Sequence, residues 1–190
     1  MGVVEEPGVM QRHRVTVAEY YRMAEAGVLA PDARVELIEG EIVDMAPMKA
    51  GHASVVGRLS GLLSRAAADR ALVWCQLPLR LSDRSEPEPD LMLLKPRADF
   101  YRTAHPTAAD VLLLIEVADT TLAYDRGIKV PLYARHGVGE VWIIDLDNRL
   151  VRFFRQPGGD TYAEITATET PGVTPIAALP GVSLDLRGVF

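Results

Sequence analysis

The chain contains one cysteine, Cys75, among its 190 residues. A lone thiol cannot close an internal disulfide, so the fold must be held by its core, and a reducing compartment suits it. Long apolar runs are missing too. Stretches such as Val111 to Ile115 fall far short of the roughly 20 residues that a membrane-spanning helix needs. Glu5 and Glu6 stand where the apolar stretch of a signal peptide would begin, so the cytoplasm is the expected location. No glycine-rich phosphate loop of Walker or Rossmann spacing occurs, nor a Gly-x-Ser-x-Gly elbow, which removes the common nucleotide-binding and serine-hydrolase readings. The histidines His13, His52, His105 and His136 do not fall at the i, i+4 spacing of a zinc-binding helix. His136 is expected at a helix C-terminus, where a cationic imidazole is favoured without any functional role. Basic residues are also short: 20 Lys and Arg against 26 Asp and Glu leave a net charge of −6. That balance weighs against broad, nonspecific nucleic-acid binding while leaving room for a local basic groove.

What is present is ordinary globular material. Hydrophobic residues make up 48% and charged residues 24%, enough to bury a core in one domain. Residues 1–12 lack periodicity and read as a flexible tail. Residues 13–190 read as a single domain, with its core over about 50–146 and a terminal hairpin and loop over 147–190. Thr16-Val-Ala-Glu19 has capping-box spacing and predicts a helix ending near Gly27. A hairpin is predicted over Arg34 to Met45 about Glu39-Gly40, with Val35, Leu37 and Ile42 as its apolar positions. Val55, Leu59, Leu62, Leu63 and Ala66 form a helical stripe between about His52 and Asp69. Gly57 and Gly61 within it weaken that helix unless another backbone packs closely there.

Strands are predicted at Leu72 to Leu81, Leu91 to Leu94 and Val111 to Val117, the last apolar enough to be covered on both faces. A helical segment follows around Asp125 to His136, stopped by Gly137, and Val141 to Asp145 reads as another buried strand. Arg149 to Arg155 and Tyr162 to Ile165, joined through Pro157 to Asp160, suggest a hairpin. The last twenty residues, with Pro171, Pro175 and Pro180, suggest surface loop. The core order is helix, three strands, helix, strand.

Three residues stand out chemically. Glu116 sits near the end of an otherwise apolar strand, where it must meet a cation, a metal or hydrogen-bond donors, or else emerge into water. Alternation puts it on the face of Leu112 and Leu114. Asp90 follows Glu86-Pro-Glu-Pro89 and opens the next strand. If the two strands pair antiparallel, Asp90 and Glu116 face one spot, and two hard oxygen ligands on neighbouring strands suit Mg²⁺. The competing reading is that Glu86, Glu88 and Asp90 form a solvated acidic loop. Lys129 lies 13 residues beyond Glu116 on the helix expected to cross the sheet. It is either a solvated charge or a group that positions a nucleophile and offsets charge on a phosphate. Pro131 either opens that helix or kinks it. His52 is a polar candidate near the same site.

Pro89-Asp90 followed by Glu116 resembles the Pro-Asp…(Asp/Glu)-x-Lys signature of restriction-endonuclease-like nucleases, whose core order matches the one above. More narrowly, the chain resembles the Uma-two family of restriction endonucleases over roughly residues 14 to 155. Val35-Glu-Leu-Ile-Glu-Gly-Glu41, His52 and Leu114-Ile-Glu-Val117 carry the likeness, with Lys129, Tyr133 and Gly137-Val-Gly-Glu-Val-Trp-Ile-Ile-Asp145 extending it. The resemblance implies an α/β (α+β) restriction-endonuclease-like fold: a mixed central sheet with flanking helices and added N- and C-terminal β-hairpins. It implies a metal-dependent endonuclease, with Asp90, Glu116 and the backbone carbonyl of Val117 binding Mg²⁺ or Mn²⁺. Lys129 takes the place of the signature lysine, whose position here is Ala118. Glu36 and His52 match recurrent positions of less defined role, and both count as catalytic candidates. After the Glu strand this chain has Ala118-Asp-Thr-Thr121 where family members often have Ser-Pro-Ser-Thr, so Asp119 either adds a ligand or marks a different loop. DNA is the expected substrate and a homodimer a plausible assembly, since duplex cleavage usually recruits two sites. Arg12, Arg14, Arg58, Arg65, Arg80, Arg84, Lys95, Arg97 and Arg102 are the candidates for a basic groove. The alternatives are a noncatalytic nuclease-fold module that binds nucleic acid or protein, and a metal-dependent hydrolase of small phosphoesters.

Overall fold

The computed structural model describes residues 12–190. The predicted tail, Arg12 apart, lies outside the described residues. Helix α1, Val17–Glu25, starts at the capping box: the Thr16 hydroxyl accepts from the Glu19 N–H at 3.3 Å, while the Glu19 carboxylate accepts from the Thr16 N–H at 2.8 Å. It ends where Gly27 takes φ +72°, a left-handed conformation that costs glycine least. Strands β1, Val35–Ile38, and β2, Glu41–Asp44, form the expected antiparallel hairpin. The hairpin stands apart from the main sheet. Leu37 exchanges backbone hydrogen bonds with Glu86, which ties β1 to the segment leading into the candidate site.

Helix α2, Ala50–Ala67, buries Val55, Val56, Leu59, Leu63 and Ala67 against one face of a six-stranded sheet. Its two interior glycines meet no packed backbone. A Cβ on Gly57 would contact nothing, and one on Gly61 would meet only the Arg65 side chain. The helix holds by its apolar stripe despite them.

The sheet runs in order β3 (Leu72–Cys75), β4 (Leu91–Leu94), β5 (Val111–Ala118), β6 (Glu140–Asp145), β7 (Leu150–Gly158), β8 (Thr161–Thr168). Every neighbouring pair is antiparallel except β5 and β6, which are parallel. The parallel pair requires a crossover, supplied by α3 (Leu122–Tyr124), a π-helical stretch over Asp125–Lys129, and α4 (Val130–Arg135). This crossover covers the other face, packing Val130, Tyr133 and Ala134 near Leu114, Ala118 and Ile143. Both faces of β5 are covered, as its unbroken apolar run requires.

Four expectations need correction. The strand predicted to reach Leu81 stops at Cys75, because Gln76 adopts φ +50° and Pro78 has no N–H to continue a ladder. Leu112 does not share a face with Leu114. A bulge opposite Leu93 and Leu94 makes Leu112 the extra residue and turns it toward the α2 side. The last twenty residues are more than surface loop: β9 (Val173–Pro175) pairs with β10 (Ser183–Asp185), and Ile176, Leu179, Val182, Leu184 and Leu186 join the core beneath α2. Their prolines punctuate this segment without preventing burial. The β7–β8 turn is also tighter than predicted, since Pro157 and Gly158 still pair with Tyr162 and Thr161. Among the described residues no helix is long and apolar enough to cross a membrane.

Candidate active site

Pro89 ends an irregular segment and Leu91 begins β4, which runs antiparallel to β5 with Leu91 opposite Ile115. Asp90 therefore lies beside Glu116, one step past the last paired residues. The link is direct: the Asp90 N–H donates to Glu116 Oε2 at 3.3 Å, and the Val117 N–H donates to Asp90 Oδ2 at 2.8 Å. A strand residue presents its N–H and C=O toward the same neighbour. The Val117 carbonyl thus leaves β5 on the side of Asp90, where β4 has not yet begun.

Glu116 projects to the crossover side. The Tyr133 hydroxyl donates to its Oε1 at 2.6 Å and the Lys129 ammonium at 3.3 Å. Lys129 also lies 3.1 Å from Glu36 Oε2, and the Glu88 N–H donates to that same oxygen at 3.2 Å. The π-helical stretch places Lys129 at its last position and Pro131 just after it, so the proline follows the distortion rather than kinking a regular helix. His52, in the first turn of α2, bonds Asp90 Oδ1 through Nε2 at 2.9 Å. The Gln76 amide donates to the same oxygen at 3.1 Å.

All five side chains proposed from the sequence, Glu36, His52, Asp90, Glu116 and Lys129, line one pocket of about 230 Å³, and so does Val117. Glu116 is 3% exposed, Glu36 4% and Lys129 6%, so the solvated lysine is not realised, and with Asp90 at 9% neither is the solvated loop. Glu86 is likewise buried, accepting from Tyr21 and Arg80.

The electrostatics follow from that burial. Desolvation pushes the Glu116 carboxyl up to about 8, against the pull of Lys129 and with help from Asp125 and Asp90. Burial also raises Asp125 and Glu88. Lys129 feels an opposing burial effect, but Glu116, Glu36 and Asp125 together hold its ammonium above the ordinary lysine range. The hydrogen bond to Asp90 raises His52. For His136, at the end of α4, partial burial and the adjoining Arg135 lower the pKa.

Some contributors were not foreseen. Asp125 is buried in the pocket wall and accepts from the Thr121 hydroxyl at 2.6 Å. Its i, i+4 spacing to Lys129 was the available signal. Gln76 carried no signal, because its role depends on the left-handed turn that ends β3. Asp119 pairs with Lys49 at 3.1 Å. Of the nine candidates for a basic groove, Arg14, Arg80 and Arg97 are spent on Glu41, Glu86 and Asp99.

The donor set fits a hard divalent cation. Among the described residues no three His, Cys, Asp or Glu side chains form a cage by themselves. Mg²⁺ does not require one, since it commonly takes one or two carboxylates and keeps several waters. Here two carboxylates meet, and the Val117 carbonyl leaves β5 on their side, in a pocket whose walls carry more acid than base. The Tyr124 hydroxyl, buried in the same wall, has no hydrogen-bond partner and is left for a ligand or its water.

The family model described as "Uma2: Putative restriction endonuclease" matches residues 17–187. No curated protein matches. A solved structure, that of "a putative nuclease belonging to DUF820 from Anabaena variabilis", is similar in fold, with TM-score 0.70 at 18% identity over 93% of this chain and 97% of that one. The mixed six-stranded sheet with its one parallel pair and the match along nearly the whole described chain agree: the chain belongs to the Uma2 family.

Proposed function

We propose that this protein is a metal-dependent endonuclease that hydrolyses phosphodiester bonds of DNA. The observation that carries the reading is the meeting of Asp90, Glu116 and the Val117 backbone with the buried ammonium of Lys129 at one end of the sheet. Asp90, Glu116 and the Val117 carbonyl would hold Mg²⁺ or Mn²⁺, which when bound lowers the pKa of a coordinated water and offsets charge on the phosphate.

The remaining residues have separate tasks. Hydrolysis forms one P–O bond from water, breaks another to the leaving alkoxide, and transfers a proton from the water to that alkoxide. Lys129 stays protonated, because its pKa is raised, so it acts as a fixed positive charge and donor rather than as the base. Glu36 holds Lys129 from the N-terminal hairpin and Tyr133 orients Glu116 from α4. His52, in contact with Asp90, sits where it can position that carboxylate or relay a proton. A homodimer would supply the two sites that duplex cleavage needs.

The test is cleavage of plasmid DNA with Mg²⁺ or Mn²⁺, with parallel calorimetry of cation binding by the parent, Asp90→Ala and Glu116→Ala. Metal-dependent nicking that both variants abolish while remaining folded is the expected result. A parent that binds neither cation overturns the enzyme and leaves a nuclease-fold binding module.

A further inference from the structure

The α2 N-terminus separates the candidate active site from a second, open pocket of about 370 Å³. Lys49 and His52 line the first; Gly51, Ser54 and Arg58 line the second. The far wall comes from the β6–β7 turn, with Arg149, and from the C-terminal segment at Gly188 and Phe190. That turn leaves the same end of the sheet as Glu116 and Val117: Ala118 lies opposite Asp145, and the Leu146 N–H donates to the Ala118 carbonyl at 2.9 Å. The two pockets are therefore neighbours by topology, at the ends of the parallel strand pair.

Their chemistry is opposite. The first is walled by acids. The second is lined by two arginines and no Asp or Glu side chain, although acids outnumber bases in the chain as a whole. Neither Arg58 nor Arg149 forms a salt bridge among the described residues, whereas Arg187 beside them is spent on Asp185. Asp185 feels Arg58 at longer range but is already held by Arg187. Arg58 donates to the Arg187 carbonyl at 3.1 Å, and Arg149 lies over the Phe190 ring at 5.4 Å. These contacts aim both guanidinium groups while leaving them exposed. Gly51 offers an open surface, since a Cβ there would meet nothing. Ser54, between His52 and Arg58 on α2, adds a hydroxyl to the same pocket.

We infer that this pocket seats the phosphate backbone of the DNA strand as it leaves the active site, with Arg58 and Arg149 as its phosphate contacts. The inference rests on the nuclease reading. Six residues from His52 to Arg58 advance about 9 Å along a helix, the rise of two to three nucleotides at about 3.4 Å each. An arginine pair beside an acidic pocket resolves how a protein of net charge −6 grips a polyanion, by local charge rather than total charge. Arg149 was outside the groove foreseen from the sequence, because only the fold brings the β6–β7 turn against α2.

The experiment measures binding of a short fluorescent DNA duplex by anisotropy in EDTA, where no cleavage occurs, across a salt series. Parent, Arg58→Gln, Arg149→Gln, Arg58→Lys and Arg149→Lys are compared, with thermal melts to confirm folding. Each glutamine variant should weaken binding about tenfold and lower the slope of log affinity against log salt by about 1, with the lysine variants retaining most of both. If the parent cleaves DNA but both glutamine variants bind with unchanged affinity and slope, the inference fails and the nuclease reading stands. If the parent binds in an arginine-dependent way but never cleaves with Mg²⁺ or Mn²⁺, the site stands and the catalytic reading fails. A parent that neither binds nor cleaves DNA overturns both.

Discussion

Replacing Lys129 with methionine keeps most of the side-chain volume and deletes a buried positive charge. Its ammonium lies 3.1 Å from Glu36 and 3.3 Å from Glu116, all three side chains being nearly solvent-free. Breaking such a pair leaves its partners unpaired and costs about 3–5 kcal/mol. The loss must depend on pH. Burial holds the folded-state pKa of Glu116 at about 8, above its ordinary value of 4.5. A group raised in this way contributes stability that is fully present below about 4.5 and is lost as the pH rises through about 8. Lys129 is the group that pulls Glu116 down, so the variant raises it further. At low pH Glu116 of the variant stays protonated and little is lost. At high pH it is either charged and buried without its cation or holds a proton against the solution. Urea denaturation should show a deficit of about 1 kcal/mol near pH 5 that grows by about 1.4 kcal/mol for each pH unit above 8 at which the variant still holds the Glu116 proton, reaching about 2–3 kcal/mol near pH 9. Mg²⁺ should recover part of the deficit at the higher pH, by supplying positive charge to the same carboxylates. An equal deficit at both pH values would mean that packing alone is lost, and a negligible one at high pH would refute the buried ion cluster.

Cation affinity measured by calorimetry should rise with pH up to about 8, with proton release that shrinks over the same interval, because Glu116 must give up its proton to become a ligand; a pH-independent affinity would remove Glu116 from the ligand set. Tyr133→Phe deletes the 2.6 Å hydrogen bond to a buried carboxylate. It should cost about 1.5–3 kcal/mol by chemical denaturation and shift the rise in cation affinity to higher pH. Glu140, at the start of β6, accepts from the Trp142 indole, from Arg155 and from the Ala177 N–H. Glu140→Ala should cost about 3–5 kcal/mol through the buried donors it strands, and limited proteolysis should then cut first between β9 and β10. A variant with parental resistance would show that the C-terminal segment is held by its apolar residues alone.

The local elements were legible because their causes are local. The Thr16–Glu19 capping box, the Glu39-Gly40 turn and the α2 stripe each express a rule that spans a few residues. The end of β3 was not legible, since it turns on Gln76 taking a left-handed conformation that its sequence does not demand. The bulge at Leu112 escaped for a related reason: strand alternation assumes a register that only the partner strand can break. From its prolines alone the C-terminal segment reads as surface loop, and only the α2 side of the sheet shows why the residues between them are buried.

By itself the sequence determined the element order and the residue types needed for chemistry. A carboxylate in an apolar strand, a Pro-Asp at the start of its neighbour and a lysine on the following helix restrict the possibilities severely, because burying such groups apart would cost too much. Only the tertiary structure decided what each of them meets. Lys129 is shared between Glu116 and a hairpin residue 93 positions earlier, His52 and Gln76 converge on one oxygen of Asp90, and Arg149 comes to face Arg58 across a pocket. Charge and hydrogen bonding act over a few ångströms of space, whereas sequence orders residues along the chain; folding alone converts one distance into the other.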